Sequence, residues 1–430
     1  MQLKITKYSA LAVLLFVGLP AIAQITVESP YSKFGLGSLK SSALTKSRGM
    51  GGIGIGINAP TAISYSNTQN PAAFSSYAIT SLEAGMSAKY LNLKKGNQSE
   101  NSLNGTFNHI AIGFPVTKKS GMSIGLLPYS ELGYDYKSTG KIDTLNTAQS
   151  FTGEGGITKA YLGYGYKVTD RFRLGASLEY MFGSMIRTRT TEFGDVTALN
   201  VRIQEKDNIY GMSLSYGAQY DFDLNPKVKL IIGYAGTVPT KLSSKVSNTI
   251  TRYTKDTEGN DNPALDTLNI QTSAPNKFKL PLTHGFGFSI QKYNNWVFGA
   301  DVKVGNWSSL EIGGVNQGLT NTLSVAVGGQ WTPDIMAVSG YFNRVDYRLG
   351  LVYEKSYVNI SNQNINQKSV TVGMGFPLAT VNRFTFSKLN FSAELGTRGT
   401  LTNNLVKEQF VNFHLGFTLN DRWFTRFKFD

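Results

Sequence analysis

Residues 171–182, RFRLGASLEYMF, set the reading of the whole chain. Phe172, Leu174, Ala176, Leu178, Tyr180 and Phe182 alternate with Arg171, Arg173, Gly175, Ser177 and Glu179. Side chains point to opposite faces along a strand, so this segment carries one apolar face and one polar or tiny face. The rhythm recurs outward in both directions. Tyr210, Met212, Leu214, Tyr216, Ala218 and Tyr220 keep it, as do Trp296, Phe298, Ala300, Val302 and Val304. About fourteen such segments follow one another, each long enough to cross a membrane as a tilted strand of roughly ten residues. They run 79–92, 104–116, 121–137, 150–167, 170–190, 207–222, 226–238, 280–293, 295–308, 320–332, 342–356, 368–379, 386–398 and 407–419.

A soluble β-sandwich also alternates, but three features favour a transmembrane antiparallel β-barrel. Tyr, Trp and Phe sit near the strand ends of the apolar faces, as interfacial girdles require. The opposite faces carry glycine, serine and charge, which suits an interior of water or protein. Connections alternate in length as surface loops and periplasmic turns do: long LNLKKGNQSENSL, short TKKS, long STGKIDTLNT, short TDR. The longest runs from Thr240 to Lys279 and is strongly polar; the turn between Trp331 and Asn343 is longer than the rule expects.

The N-terminus, MQLKITKYSALAVLLFVGLPAIAQ, has Lys4 and Lys7, a short apolar run and Ala21-Ile22-Ala23, the pattern of a secretory leader over residues 1–23. The chain has no cysteine, which removes disulfides, thiol nucleophiles and cysteine metal sites. The formal charge of +14 is scattered along the sequence. In an exported chain it points to outer-membrane lipid and lipopolysaccharide and not to nucleic acid.

Within RGMGGIGIGINAP, residues 48–60, Gly49, Gly51 and Gly54 spell G-x-G-x-x-G. A dinucleotide loop needs a buried strand before it and a helix after it. Polar SLKSSALTKS precedes these glycines, and Pro60 and Pro71 follow. The glycines, with Gly52 and Gly56, therefore belong to an irregular N-terminal segment over 24–78. At membrane depth such a segment is tolerated only when surrounded by protein or a wet lumen, so it is expected to be a plug inside a barrel over 79–430, with a flexible periplasmic arm as the alternative. The barrel is expected to end in a short periplasmic tail. No cofactor is expected.

The glycine run, followed by Asn70-Pro71-Ala72, resembles the FadL-type family of outer-membrane transporters for hydrophobic compounds. The segment FTGEGGITKAYLGYGYKVTDRFRLGASLEYMFG is similar to a strand pair of that family. The resemblance implies a hatch at Asn70, Pro71 and Ala72, about fourteen strands, and location in the outer membrane of a Gram-negative bacterium. It also implies passive uptake of a hydrophobic or amphipathic small molecule, with a lateral exit where Pro128 or residues 153–156 kink a strand. The polar 240–279 loop departs from the apolar capture loops of fatty-acid transporters. It keeps open a second role, a non-transporting barrel among partner envelope proteins in a secretion or protein-assembly complex. The C-terminal Phe427 and Phe429 resemble a barrel-assembly signal, from which Asp430 departs.

Alternation places a set of charges on the inner face: Glu83, Lys89, Arg171, Arg173, Glu179, Asp301, Lys303, Arg344, Asp346 and Arg348, with Glu354, Lys388 and Glu394. On the lipid face at the midplane each would cost roughly 2–4 kcal/mol. They are expected to hold the plug or to select solutes. His109 and His414 fall on the same face, and no motif sets a serine beside them or beside His284, so no catalytic or metal site is expected.

Overall fold

The alternating segments pair edge to edge into one antiparallel wall. The computed structural model describes residues 28–58, 66–142, 145–195, 197–271, 276–378 and 386–422. The expected leader and the terminal aromatics lie outside the described residues. Fourteen wall strands follow in chain order: β1 Thr80–Lys95, β2 Gln98–Thr117, β3 Ser120–Ile142, β4 Leu145–Lys167, β5 Phe172–Phe193, β6 Asn200–Asn225, β7 Val228–Thr237, β8 Thr283–Lys292, β9 Trp296–Gly305, β10 Thr322–Trp331, β11 Asp346–Ile360, β12 Gln363–Pro377, β13 Phe386–Gly399 and β14 Lys407–Asp421. Each pairs with its neighbours, and β14 returns to β1 with Thr80 opposite Asp421 and Lys94 opposite Lys407. Closure leaves no terminal edge, which is what lets a sheet stand in lipid.

Outward positions are apolar and exposed: Leu174, Leu178, Tyr180, Leu349, Leu351, Phe413 and Leu415 among them. Inward positions are polar and buried, including Ser177, Glu179, Gln219, Asp301 and Thr371. The loop-length rule is realised mainly as strand length. LNLKKGNQSENSL, read as a long loop, is a tight hairpin at Gly96 between the ends of β1 and β2. The polar 240–279 segment is likewise no open loop. Its Thr240–Tyr253 portion continues the sheet beside the upper half of β6, and Asp266–Gln271 and Asn276–Leu280 pair onto it in turn. Backbone groups of a long hairpin find partners more completely in a ladder than in coil, whatever the polarity of the side chains.

The ring is interrupted at one level between β2 and β3. These strands pair only from Ile110 opposite Leu126 down to Thr117 opposite Ser120. Above that level β3 carries an irregularity between Pro128 and Ser130 and continues beside β4 alone on the wall. Its freed edge is met by the N-terminal segment. Ser38 and Leu39 pair with Glu131 and Ser130, and Glu28 and Ser29 donate to the Gly133 carbonyl at 2.9 Å.

The seam generates a direct test. The chain has no native cysteine, so A88C with F413C, a facing pair, should oxidise to a cross-link that joins β1 to β14. A88C with V327C should not. Equal cross-linking of both pairs in detergent, or of neither, would contradict the closed register.

Candidate functional site in the barrel lumen

One helical turn, Thr45–Arg48, leads into the glycine run, where Gly51 and Gly52 take left-handed φ of 71° and 77°. No side chain shields this backbone from the wall. A Cβ on Gly350 of β11 would stand 2.2 Å from the Gly51 nitrogen, and one on Gly56 2.7 Å from the Phe288 Cα of β8. Glycine on both sides is what allows two backbones to touch.

Polar groups on the inner wall then satisfy the run's orphan amides and carbonyls. Asp301 Oδ2 accepts from the Gly54 and Ile55 amides at 2.7 and 3.0 Å. Thr371 Oγ1 accepts from the Gly51 amide at 2.8 Å and donates to the Gly49 carbonyl at 3.2 Å. Gln219 Nε2 donates to the Ile55 carbonyl at 2.9 Å, Ser289 to that of Gly56 at 2.6 Å, and Gln291 to that of Asn58 at 3.0 Å. An unpaired buried amide or carbonyl costs about 1–3 kcal/mol, so these side chains make an irregular backbone tolerable at this depth.

Asn70, Pro71 and Ala72 open a 3-10 helix, Pro71–Ser76, that lies against β4 and β5. Proline suits its first position because no amide is needed there. Fully buried Asn70 caps the helix through Oδ1, which accepts from the Ala72 amide at 3.0 Å. Its Nδ2 faces the Ile55 carbonyl at 2.8 Å and the wall carbonyls of Ala218 and Tyr234 at 3.2 and 3.3 Å. One side chain thereby ties helix, glycine run and two wall strands. Phe74 stacks between Tyr77 and Tyr161, with centroids 6.1 and 6.4 Å away.

The charges expected on the inner face mostly lie there, in pairs. Glu83 accepts from the Ser66 amide at 2.5 Å. Glu179 receives Lys159 at 3.0 Å. Arg173 forks onto Asp221, which also accepts from Asn58. Asp346 collects Arg348 at 2.6 Å and Lys388 at 2.9 Å, while Lys303 reaches Gln69 at 2.5 Å. Glu354 lines the interior, and Glu394 accepts from Ser369 at 2.7 Å. Two positions need correction. Arg171 lies in the turn before β5, exposed and bridged to Asp223, and Arg344 ends a 3-10 helix, Tyr341–Arg344, before β11 begins. Alternation was extended past the strand ends in both cases. His109 and His414 are buried on the inner face, the latter 3.1 Å from Asn108, and His284 bonds Tyr234 at 2.6 Å.

Nearer the long-hairpin end, Glu28 binds Lys40 at 2.8 Å and Lys89 at 2.9 Å, and Lys40 also meets Glu131 at 2.7 Å. Burial alone would raise the Glu28 carboxyl, but the two ammonium groups outweigh it and hold it well below the usual carboxylate range. Above this cluster the interior turns apolar. Tyr31 and Leu36 pack with Leu132, Met185, Phe278, Trp307, Leu310 and Tyr357 in one buried core. Among the described residues the interior holds cavities of about 160, 280 and 80 Å³, with Lys40, Lys303, Glu354 and Arg398 among the lining of the first.

Gln219, Asp221 and Thr371 were legible by the same alternation but were not singled out. Glu28 and Lys40 sit in non-periodic sequence, which offers no signal for them.

Removing the Asp301 carboxylate should release the glycine run. D301A loses two charge-assisted hydrogen bonds, about 3 kcal/mol together, and trypsin should cut after Lys46 or Arg48 roughly tenfold faster or more in detergent. An unchanged rate would refute the anchoring role. The Glu28 cluster predicts a pH dependence of definite sign. Its folded-state value lies below the ordinary 4.5, so its contribution is complete above about pH 4.5 and is lost as pH falls through the folded value. The gap in Tm between wild type and E28Q should hold from neutral pH to about 4.5 and shrink below it.

Comparison with solved structures places this geometry among FadL-type barrels. The Pseudomonas putida toluene transporter TodX superposes with a TM-score of 0.58 at 13% identity, covering 90% of this chain and 100% of that one. A Pseudomonas aeruginosa FadL homologue gives 0.57 at 14%, covering 90% and 99%. The Ralstonia pickettii toluene transporter TbuX gives 0.54 at 14%, covering 88% and 98%. At these identities the likeness is one of fold. No curated protein matches in sequence. A family model does, described as BamG and aligned over residues 5–430, nearly the entire length. On that match the chain belongs to the BamG family.

Proposed function

We propose that this protein is a non-conducting barrel of a Gram-negative outer membrane, a fixed partner in a larger envelope assembly such as a secretion or protein-assembly complex. The observation that carries this reading is the double filling of the lumen. At mid-depth residues 49–58 are hydrogen-bonded to the wall through Asp301, Thr371, Gln219, Ser289 and Gln291. Toward the long-hairpin end Tyr31, Leu36, Trp307, Leu310 and Tyr357 belong to a buried apolar core inside the wall. A greasy solute moving along the axis would have to part that core and then pass charged cavities. In this reading residues 24–78 are a permanent plug, built by the Asn70-Pro71-Ala72 hatch and by Gly49, Gly51, Gly52, Gly54 and Gly56.

A partner barrel needs surfaces for others to grip. The turn between β10 and β11, at the end where other connections are minimal, exposes Met336 at 80%, Val338 at 102% and Phe342 at 68%. Large apolar side chains offered together on a polar turn mark an interaction site more often than a bare surface. At the opposite end the folded 240–279 sheet raises Leu265 and Leu268 clear of the wall.

Passive uptake of a hydrophobic small molecule is the second reading. The break between β2 and β3 above Ile110 favours it, together with the FadL-type fold. On that route a solute leaves sideways past Ser38 and Leu39, which now occupy the freed edge of β3.

Gentle purification from native membranes separates the readings. Stoichiometric protein partners are expected, with no bound amphiphile, and M336D with V338D should release at least one partner while the barrel stays folded. Reconstituted alone, the protein should neither conduct ions nor admit toluene. Solute flux through the isolated barrel, or a chain that purifies alone with an apolar ligand inside, would decide for transport.

A further inference from the structure

The outer face of the wall from β10 round to β1 is not uniformly convex. It holds a groove of about 1090 Å³, lined by outward Val325, Val327, Leu351, Tyr353, Val370 and Leu395 and closed on the far side by Val411 and Tyr90. Ala326 stands two strands from Ser369, and Ser369 faces Gly396, where an added Cβ would come within 2.8 Å of the Ser369 Cβ. The groove is lined by residues of the wall strands and not by a loop.

Its two edges differ in chemistry. Toward mid-membrane the row Val327, Leu351, Val370, Leu395, Val411 and Tyr90 is apolar, each residue opposite the next. One register step toward the long hairpins the row becomes Lys368, Thr397, Gln409 and Asn92, and Lys94 and Lys407 face each other just above. Lys368 and Lys94 line the groove itself and are exposed. Among the described residues no carboxylate forms an ion pair with Lys94, Lys368 or Lys407. Tyr90 and Tyr353 are both exposed on the outer face, in adjacent register rows, and supply the kind of aromatic found in an interfacial girdle. Lys94 and Lys407, directly opposite, repel each other, which is unfavourable unless an anion stands beside them, and Lys368 adds a third positive charge at the same groove.

We propose that this groove binds one anionic glycolipid of the outer leaflet, a lipid-A-like molecule with an acyl chain in the apolar trough and a phosphate held by Lys94, Lys368 and Lys407. The charge pattern selects this occupant over a neutral lipid. A flexible chain also fills a shallow trough that is open to the bilayer. The proposal rests on the reading of the chain as an outer-membrane barrel with its long hairpins outward. It does not depend on whether the barrel transports or scaffolds, because the groove lies outside the lumen.

The test uses the full-length protein in neutral detergent, with purified lipid A as the probe and native mass spectrometry as the readout. Wild type should retain lipid A in preference to phosphatidylcholine, and each lysine-to-alanine change should weaken retention roughly fivefold. The K94R/K368R/K407R variant should restore it. Inorganic phosphate alone should not compete, since the acyl chain supplies part of the binding. Unheated gel mobility identical to wild type establishes that each variant is folded. Wild-type retention in the triple alanine variant overturns the proposal, as does equal retention of phosphatidylcholine. So does a partner protein, in place of lipid, cross-linked through Tyr90 or Val411 in native membranes.

Discussion

Everything in this structure answers to one constraint: backbone amides and carbonyls at membrane depth must be paired, because hydrocarbon offers no substitute for water. The wall meets it by closing on itself. The segment inside meets it differently, by lending its irregular backbone to side chains of the wall. Asp301, Thr371, Gln219, Ser289 and Gln291 do for residues 49–58 what a neighbouring strand does for β1. The polar inner face is thus largely a complement to the N-terminal segment, and most of its charges are engaged with that segment or with each other.

The same constraint accounts for the glycines. A side chain at Gly51 or Gly350 would part the two backbones and leave the bonding groups beyond reach. The spacing that imitates a nucleotide loop is a consequence of two curved backbones meeting. Where β2 and β3 separate, the N-terminal segment again provides the missing partner, pairing Ser38 and Leu39 with the freed edge. The N-terminal segment and the wall thus complete each other's hydrogen bonding.

Most of the wall was legible in the sequence because the period of two is enforced twice, by lipid outside and by polar fill inside. All fourteen expected segments correspond to wall strands, with ends displaced at Arg171 and at residues 342–345 where apolar turn residues imitate a strand. Hairpins above the membrane were harder to read. Their side chains face water on both sides, so LNLKKGNQSENSL and the 240–279 segment pair as strands without an amphipathic pattern to announce them. The interior was least legible of all. Asn70 is recognisable as a helix cap before Pro71, but its reach to Ile55, and to Ala218 and Tyr234 well over a hundred residues away, depends on tertiary packing. The Glu28–Lys40–Lys89 cluster has no sequence signature, and neither does the apolar core above it, which gathers single residues from many strands.

Amide hydrogen exchange on the full-length protein in detergent tests the central claim most directly. If the N-terminal segment is a built-in part of the barrel, the amides of Gly51, Gly54 and Ile55 should exchange as slowly as those of β9 and β12, whose Asp301 and Thr371 side chains accept from them. Exchange of those three amides at the rate of exposed turns, with the wall still protected, would contradict the account.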